Sequence, residues 1–411
     1  MFERVFKLSE HKTTVKTEVM AGITTFMTMA YILAVNPSVL GSTGMDTTAV
    51  LLATALASCL GTLCMAFMAN LPFALSAGMG LNAFMAYTVV AGYGYSWQVA
   101  LLAVFIEGLI FIVLSLTNVR EAIFNAIPLT LKKGVSVGIG LFIAFIGLQN
   151  SGLCVDSATL VGIISFPENF HTAGICALLT LIGLFFTAVF YTRKMKGAIL
   201  YGILLTWILG MLCQVTGLYV PTPDAGFYSL FPSWGMTDFS KLGLTFGQCF
   251  NVDFSAVGIV NFIVVIFSFL FVDIFDTLGT LIGVATKAKM LDKDGKLPGI
   301  KPALLADSIA TSAGAILGTS TTTTFVESAS GVAVGGRTGL TALVTGILFL
   351  VSTLFAPIFT AIPSFATAPA LIMVGFLMVG TVTEINFDLD NLTESIPAYL
   401  AIIAMPLFYS I

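Results

Sequence analysis

Residues 318–331 read GTSTTTTFVESASG, a short polar stretch inside an otherwise apolar part of the chain. Its four consecutive threonines, residues 321–324, are β-branched and are poor helix formers. A second stretch of small residues, 71–83, reads LPFALSAGMGLNA. Such segments are typical of a strand-like or unwound stretch between half-helices that faces a polar cavity rather than lipid. For either segment alone, close packing of small residues against a neighbouring helix is the alternative interpretation.

The rest of the chain is apolar enough to use lipid as its solvent. Of its 411 residues, 57% are hydrophobic and 9% are charged, with a mean hydropathy of +1.02. Soluble domains carry about a quarter charged residues. Several apolar runs are continuous, unlike alternating barrel strands, and approach the roughly 20 residues that a membrane helix needs. They are residues 19–40, 97–116, 174–191, 197–213, 257–272 and 338–356. The sequence therefore predicts an all-α polytopic membrane protein.

Thirteen spans are predicted, and the basic residues orient them. The spans are 19–40, 48–70, 72–90, 97–116, 131–150, 172–192, 197–217, 256–286, 302–318, 320–336, 338–357, 364–382 and 396–411. If these spans alternate, sixteen of the 17 Lys and Arg residues fall on one side of the membrane and only Lys241 on the other. Because cytoplasmic loops carry an excess of basic residues, we expect a cytoplasmic N-terminus.

The two polar stretches lie in the third and the tenth span, seven spans apart. Two repeats of seven helices would produce this spacing. Because seven is an odd number, the second repeat must be inverted in the membrane relative to the first. Interrupted helices at matching positions of inverted repeats indicate a transporter site. A seven-plus-seven arrangement has fourteen spans, whereas this sequence ends inside the apolar run AYLAIIAMPLFYSI, residues 398–411. The last span is therefore expected to be missing from these 411 residues.

Five carboxylates lie inside the predicted spans without Lys, Arg or His beside them. They are Glu107, Asp273, Asp276, Asp307 and Glu327. An ionised carboxylate at this depth costs several kcal/mol unless it is solvated or paired, so at least one is expected to be protonated. Intramembrane acids are candidates for function by default.

The surroundings of these acids differ. Glu327 lies in the broken tenth span, and Asp273 and Asp276 are three residues apart, on one helix face, in the motif FVDIFDTLGT. Asp307 is predicted to lie near a helix start, where it complements the helix dipole or a neighbouring hydroxyl. Glu107 has no polar company in the sequence.

A cavity with acids and the Asn82 amide, but no buried cation, disfavours an anionic substrate. It suits a cation or a neutral ring with adjacent N–H donors, because a carboxylate accepts two such bonds. Phe84, Phe325 and Phe275 could offer a stacking surface. With 35 Phe in the chain, lipid-facing packing is the alternative for each of them.

Several long motifs, in order along almost the whole chain, resemble one family. They are TEVMAGITTFMTMAYILAVNP in span one, SAGMGLNAFMAY in span three, FVDIFDTLGT in span eight and GTSTTTTFVESASGVAVGGRTGLTALVTG across spans ten and eleven. The sequence is similar to the nucleobase–ascorbate transporter superfamily, specifically its AzgA-like hypoxanthine/guanine/adenine permease branch. The resemblance implies a UraA-like inverted seven-plus-seven fold. Residues 1–117 and 254–357 would form a core domain, and residues 118–253 and 358–411 a gate domain.

The resemblance also implies a function and a site. It implies proton-coupled uptake of purine nucleobases across the cytoplasmic (inner) membrane, with the core moving past the gate, often in a homodimer. Position by position, the family's substrate-binding residues correspond to Asp273, Glu327, Asn82 and Gly80. The family's acid linked to proton movement corresponds to Asp276, and Glu327 is expected to share this role. Phe325, Thr324 and Phe84 complete the predicted substrate site. No cofactor and no nucleic acid are expected, and Na⁺ remains an alternative to H⁺.

The sequence leaves one alternative function open and disfavours three others. A uracil or xanthine permease of the sister branch would share most of these features. An anion transporter or channel of the same fold is disfavoured because no buried Lys or Arg lies near the broken helices. An intramembrane aspartyl protease commonly carries a G-x-G-D motif, and an ATP-driven pump a G-x-x-x-x-G-K-[ST] loop; both motifs are missing here. We therefore expect a transporter rather than an enzyme.

Overall fold

A computed structural model of the chain describes residues 2–117, 119, 128–157, 160–222, 227–232, 235–253, 257–287, 290, 297–385, 387–388 and 391–408. Four basic residues used for the topology lie outside these ranges, namely Arg120, Lys289, Lys293 and Lys296. The predicted domain boundaries after residues 117 and 253 also adjoin residues outside the described ranges.

Each of the thirteen predicted spans coincides with helix in the described residues. The helices are Val15–Met29 with Ile32–Gly41, Thr47–Ala69, Met79–Gly92, Trp97–Leu116, Leu129–Asn150, Phe170–Thr192, Ala198–Val215, Ile259–Lys287, Ile300–Leu317, Ser328–Val334, Gly339–Thr360, Ser364–Glu384 and Leu392–Phe408. Ten of the described helical segments are long and apolar enough to cross a membrane. The chain is thus a multi-pass helical membrane protein, as predicted.

Helix starts follow from local sequence signals. Asp46, Ser96 and Thr338 precede spans two, four and eleven, and each side chain accepts a hydrogen bond from a backbone N–H of the first turn. These residue types satisfy the amide groups that a helix leaves unpaired at its N-terminus. Outside the spans, the short helix Phe2–Phe6 precedes span one. A hairpin of strands β2 (Cys154–Ser157) and β3 (Leu160–Ile163) follows span five.

The two polar stretches form a strand pair, as predicted. Strand β1 (Leu75–Ala77) precedes the half-helix of span three, and β4 (Thr322–Thr324) precedes the half-helix of span ten. The strands are antiparallel, with Leu75 opposite Thr324 and Ala77 opposite Thr322. The two half-helices therefore begin at opposite ends of the strand pair. This arrangement meets the expectation for broken helices in inverted repeats.

The spans pack in two groups. Span nine lies against spans two and four, span eleven against spans one and two, and the half-helix of span ten against span one. In the second group, span twelve packs against spans five, six and seven, and span thirteen packs against span five. These contacts do not test the predicted division into a core and a gate domain. The residue boundaries between the two domains stay a prediction.

Candidate functional site at the two broken helices

The strand pair satisfies its own backbone groups. The Gly78 amide donates to the Thr321 carbonyl at 2.9 Å, and the Phe325 amide donates to the Ala74 carbonyl at 3.0 Å. Side chains extend this pairing, because the Thr311 hydroxyl donates to the Thr322 carbonyl at 2.9 Å. Non-helical backbone at membrane depth is tolerated only where protein groups replace the missing helical bonds. The surrounding helices therefore fix the position of both strands.

The hydroxyl groups of residues 319–323, here called the polar segment, contact the other spans of the first group. Four side chains of this segment each bond to a polar side chain of a different span. The pairs are Thr319 with Asn36 of span one, Ser320 with Asn82 of span three, Thr321 with Glu107 of span four, and Thr323 with Thr277 of span eight. All four side chains of the polar segment are buried. The segment thus links the tenth span to spans one, three, four and eight through side-chain hydrogen bonds.

Glu327 lies where the tenth span changes from strand to half-helix, and its side chain is half-buried. Its Oε1 accepts a hydrogen bond of 2.8 Å from the hydroxyl group of Tyr31, which belongs to span one. The hydroxyls of Thr28 and Ser330 lie 2.8 Å apart and join the same two segments. The carboxylate predicted from the sequence is therefore oriented by a residue that the sequence analysis did not select.

Asp276 is also half-buried and lies against the other broken helix. A Cβ atom added to Gly78, which precedes the half-helix of span three, would lie 3.3 Å from Asp276 Oδ2. Glu327 lies three residues after β4, and Asp276 lies next to the glycine that follows β1. Carboxylates from spans eight and ten thus both lie beside the strand pair.

Asp273 has a different environment, although it shares a helix with Asp276. It is fully buried, and its Oδ1 accepts a hydrogen bond of 2.8 Å from Thr277. The Thr277 hydroxyl also lies 3.1 and 3.2 Å from the two carboxylate oxygens of Asp307 in span nine. Asp273 is therefore part of a cluster between spans eight and nine, whereas Asp276 reaches Gly78.

The remaining predicted site residues surround the strand pair. Asn82 is fully buried, accepts a hydrogen bond from Ser320, and lies in the half-helix that follows β1 together with buried Gly80. Thr324 Oγ1 is buried and has no hydrogen-bond partner among the described residues. A buried hydroxyl without a partner suggests a place for a ligand group or a water molecule.

The two predicted aromatic residues are buried. Phe84 packs edge-to-face against Phe269, with ring centroids 5.0 Å apart, and Phe325 is 6% exposed. The role of the two rings in stacking on a substrate stays a prediction.

Comparison with known proteins identifies the family. The sequence model of the Xan_ur_permease family, described as "Permease family", matches residues 16–410. The chain belongs to this permease family.

Two relatives share nearly the whole length of this permease. The guanine/hypoxanthine permease PbuG of Bacillus subtilis is 46% identical over 416 residues, covering 99% of this chain and 89% of the relative. The adenine permease AdeP of Escherichia coli is 42% identical over 415 residues, covering 100% of this chain and 87% of the relative. These relatives support the predicted purine permease branch.

A solved structure supports the fold. The transmembrane domain of the cyanobacterial bicarbonate transporter BicA superposes with a TM-score of 0.67, covering 95% of each chain, at 16% sequence identity. At this identity the similarity concerns the fold alone. It confirms the predicted fold class, an all-α polytopic membrane protein with interrupted helices.

The permease has an apolar crevice next to the acids. A cavity of about 410 Å³ opens between span eight and spans five and thirteen, and Phe271, Phe275, Val135 and Met405 are among its lining residues. Phe275 lies between Asp273 and Asp276 in the sequence. The crevice therefore reaches the helix that carries both acids, at the boundary between the two groups of spans.

Two expectations about single acids were wrong in part. Glu107 was expected to lack polar company, but Thr321 donates a hydrogen bond of 2.8 Å to its Oε2. Asp307 was expected near a helix start, but the helix begins at Ile300, so Asp307 lies beyond the first turn. Its contact is instead the expected neighbouring hydroxyl, that of Thr277. Both partners come from distant parts of the chain, which local sequence does not show.

Glu18 was missed because span one was predicted to begin at residue 19. The helix begins at Val15, so Glu18 is a fully buried residue of its first turn. Its carboxylate accepts hydrogen bonds from the Arg337 amide at 2.9 Å and from the Thr341 hydroxyl at 2.6 Å. Glu18 thus joins the start of span one to the start of span eleven. The acidic side chain next to an apolar run was the available signal.

Proposed function

We propose that this permease takes up purine nucleobases, hypoxanthine/guanine or adenine, together with H⁺. The observation that carries the proposal is that two half-buried carboxylates lie beside the paired strands of the broken helices, Glu327 three residues after β4 and Asp276 next to Gly78 at the end of β1. Residues 17–119, 242–286 and 302–336 contain no Lys, Arg or His. Acids without a basic partner favour a neutral N–H donor ligand over an anion.

The names of the relatives support a purine rather than one particular purine. The Bacillus subtilis relative is named a guanine/hypoxanthine permease and the Escherichia coli relative an adenine permease, at similar identities of 46% and 42%. The carboxylates suit both kinds of purine, because guanine, hypoxanthine and adenine all present N–H donors. The proposal therefore names the class of substrate.

In the proposed binding mode, Glu327 is the principal acceptor for the N–H groups of the base. Asp273, Asn82 and Gly80 are assigned to the same site by family resemblance. Thr324 contributes a buried hydroxyl that has no partner among the described residues. Phe325 and Phe84 are proposed as the apolar surface for the ring, and Asp276 and Glu327 are proposed to carry the coupling proton.

Transport is proposed to occur by movement of the core past the gate. Spans one to four and eight to eleven, with the strand pair, would move as a unit against spans five, six, seven, twelve and thirteen. The apolar crevice between spans five, eight and thirteen lies on this boundary and supports it as the sliding surface. We also propose a homodimer in the cytoplasmic membrane, with the N-terminus in the cytoplasm because basic residues accumulate on that side.

Uptake measurement tests the proposal directly. Labelled hypoxanthine, guanine and adenine would be supplied to purine-uptake-deficient cells that express this chain, with and without a protonophore. Uptake of at least one purine that is abolished by the protonophore and competed by the other purines is the expected result. Absence of purine uptake by well-expressed, membrane-inserted protein would contradict the proposal. Competition by uracil or xanthine alone would assign the protein to the sister branch.

A further inference from the structure

Span one contributes Tyr31 to the candidate site. Tyr31 belongs to neither of the two broken helices. Its hydroxyl group donates a hydrogen bond of 2.8 Å to Glu327 Oε1, and its side chain is 1% exposed. Tyr31 lies at the interruption between the helical segments Val15–Met29 and Ile32–Gly41. The hydroxyl of a buried tyrosine usually has a hydrogen-bond partner, and here that partner is the proposed substrate carboxylate.

The position of Tyr31 relative to Glu327 is fixed by close packing. The half-helix Ser328–Val334 lies along Val15–Met29. A Cβ atom added to Gly331 would lie 2.8 Å from the Ala21 carbonyl oxygen and would also meet the Thr25 hydroxyl. The bond between the Thr28 and Ser330 hydroxyls, 2.8 Å long, adds a second connection. Span one therefore cannot shift along the half-helix without losing these contacts.

The hydrogen bond has a chemical consequence for the carboxylate. Because the phenol donates to Oε1, it restricts rotation of the carboxylate and leaves Oε2 free of this contact. A carboxylate held in one orientation binds an N–H donor with less loss of conformational freedom than a mobile one. A hydrogen bond to a charged group is also among the stronger hydrogen bonds in proteins.

We propose that Tyr31 is a positioning residue that holds the Glu327 carboxylate in the orientation that accepts the N–H group of the purine. The inference rests on the proposed function and deepens it, since it assigns part of the substrate affinity to span one. The described titratable groups around this bond are Asp276, which interacts with Tyr31 and Glu327, and Asp273, which interacts with Asp276. Both acids belong to span eight and are unchanged in the test below.

The test compares two tyrosines that each lose one hydroxyl group. Tyr31→Phe removes the bond to Glu327. Tyr219→Phe is the matched control, because Tyr219 is 3% exposed and donates a bond of 2.7 Å to the Tyr228 carbonyl outside the site. For Tyr31→Phe, the KM for purine uptake is expected to rise about tenfold, with Vmax within a factor of two. Stabilisation of the solubilised protein by purine should need a correspondingly higher concentration, and Tyr219→Phe should change neither quantity.

Each of the following results would overturn the inference. An unchanged KM in folded Tyr31→Phe contradicts it, and so does an equal rise of KM in both variants. If Tyr31→Phe is not recovered as folded protein, Tyr31→His and Tyr31→Leu take its place. The histidine keeps an N–H donor, so its KM should be lower than that of the leucine variant, and equal values contradict the inference. If the unmodified chain takes up no purine, the proposed function is wrong and the inference falls with it. Normal uptake with no effect at Tyr31 removes the inference alone.

Discussion

The Thr277 hydroxyl oxygen lies 3.1 and 3.2 Å from the two carboxylate oxygens of Asp307, and both residues are fully buried. The same hydroxyl lies 2.8 Å from Asp273 Oδ1 and 2.6 Å from Thr323 Oγ1. A hydroxyl group has one hydrogen, so Thr277 donates to one of the two carboxylates at a time and can accept a bond from Thr323. Thr277 therefore connects spans eight, nine and ten through one oxygen atom.

Replacing Thr277 with valine should destabilise the protein. The substitution keeps the side-chain shape but removes the only hydrogen that Thr277 can donate to the buried carboxylates, which is expected to lower the free energy of unfolding by about 1–3 kcal/mol. Denaturant titration of the solubilised protein measures the change. Thr206→Val is the control, because that buried hydroxyl donates a bond of 2.7 Å to the carbonyl of Gly202 in its own helix. A Thr277→Val protein no less stable than the control would contradict the assignment.

Replacing Glu327 with glutamine should abolish uptake while folded protein is retained. The amide group presents two hydrogens where the substrate N–H needs an acceptor, but its size is nearly that of the carboxylate and its oxygen can still accept from Tyr31. Uptake and surface expression would be measured together. Glu10→Gln changes an exposed glutamate near the N-terminus and should transport normally. Normal uptake by the Glu327→Gln variant would rule out Glu327 as the substrate carboxylate.

Adding one methyl group at Gly78 should damage the site. A Cβ atom there would lie 2.7 Å from Thr323 Cγ2 and 3.3 Å from Asp276 Oδ2, so the strand pair or Asp276 must move. We expect uptake by Gly78→Ala to fall at least tenfold, because displacements of about 1 Å at a site can cost a factor of a hundred. Gly243→Ala, where a Cβ atom meets nothing within 4 Å, is the control. Equal uptake by both variants would show that the strand pair tolerates displacement.

The pair Asp46–Lys241 should make stability depend on acidity. Burial acts to raise the pKa of Asp46, but hydrogen bonds from Ala49 and Lys241 and the charge of Lys241 outweigh it, so the pKa lies below its usual value. The carboxylate is 3.0 Å from Lys241 Nζ. Because the pKa is lower in the folded protein than in the unfolded chain, the pair stabilises above about pH 4, and this contribution is lost as pH falls through the folded pKa.

Two variants separate the two roles of Asp46. Asp46→Asn keeps an acceptor for the Ala49 amide but loses the ion pair, so a small loss of up to about 1 kcal/mol is expected at pH 7. Asp46→Ala also removes the helix cap and should lose about 1 kcal/mol more. Melting temperatures would be measured at pH 7 and at pH 3.5. The difference in melting temperature between wild type and Asp46→Asn should be smaller at pH 3.5 than at pH 7. A difference that grows at low pH would contradict the sign of the shift.

Local sequence was sufficient to predict where the chain crosses the membrane and where two spans are broken. Continuous apolar runs identify lipid-exposed helices, and the threonines 321–324 disfavour helix because of their β-branched side chains. The strand pairing of these threonines with residues 75–77 agrees with their low helix propensity. Glycine and polar residues occur at matching positions of the third and tenth spans, which indicated that the two breaks correspond to each other.

Contacts between distant spans could not be predicted in the same way. The bond from Tyr31 to Glu327 depends on how the helices are rotated and how closely they pack, and neither is encoded in a window of a few residues. The same holds for Thr321 and Glu107, and for the separation of Asp273 from Asp276 into two environments. Hydropathy also placed the start of span one too late, because polar residues in the first turn lower the local average although the helix continues.

The pairing of β1 with β4 has a consequence for the synthesis of the protein. The strand residues 75–77 leave the ribosome early, but residues 322–324, which complete their hydrogen bonds, are made only after nine of the thirteen described spans have been synthesised. Until then, the amide and carbonyl groups of the third span cannot face lipid without a large free-energy penalty. The nascent chain must therefore keep this segment in contact with water, the insertion machinery or other spans, and the core becomes complete only when the tenth span arrives.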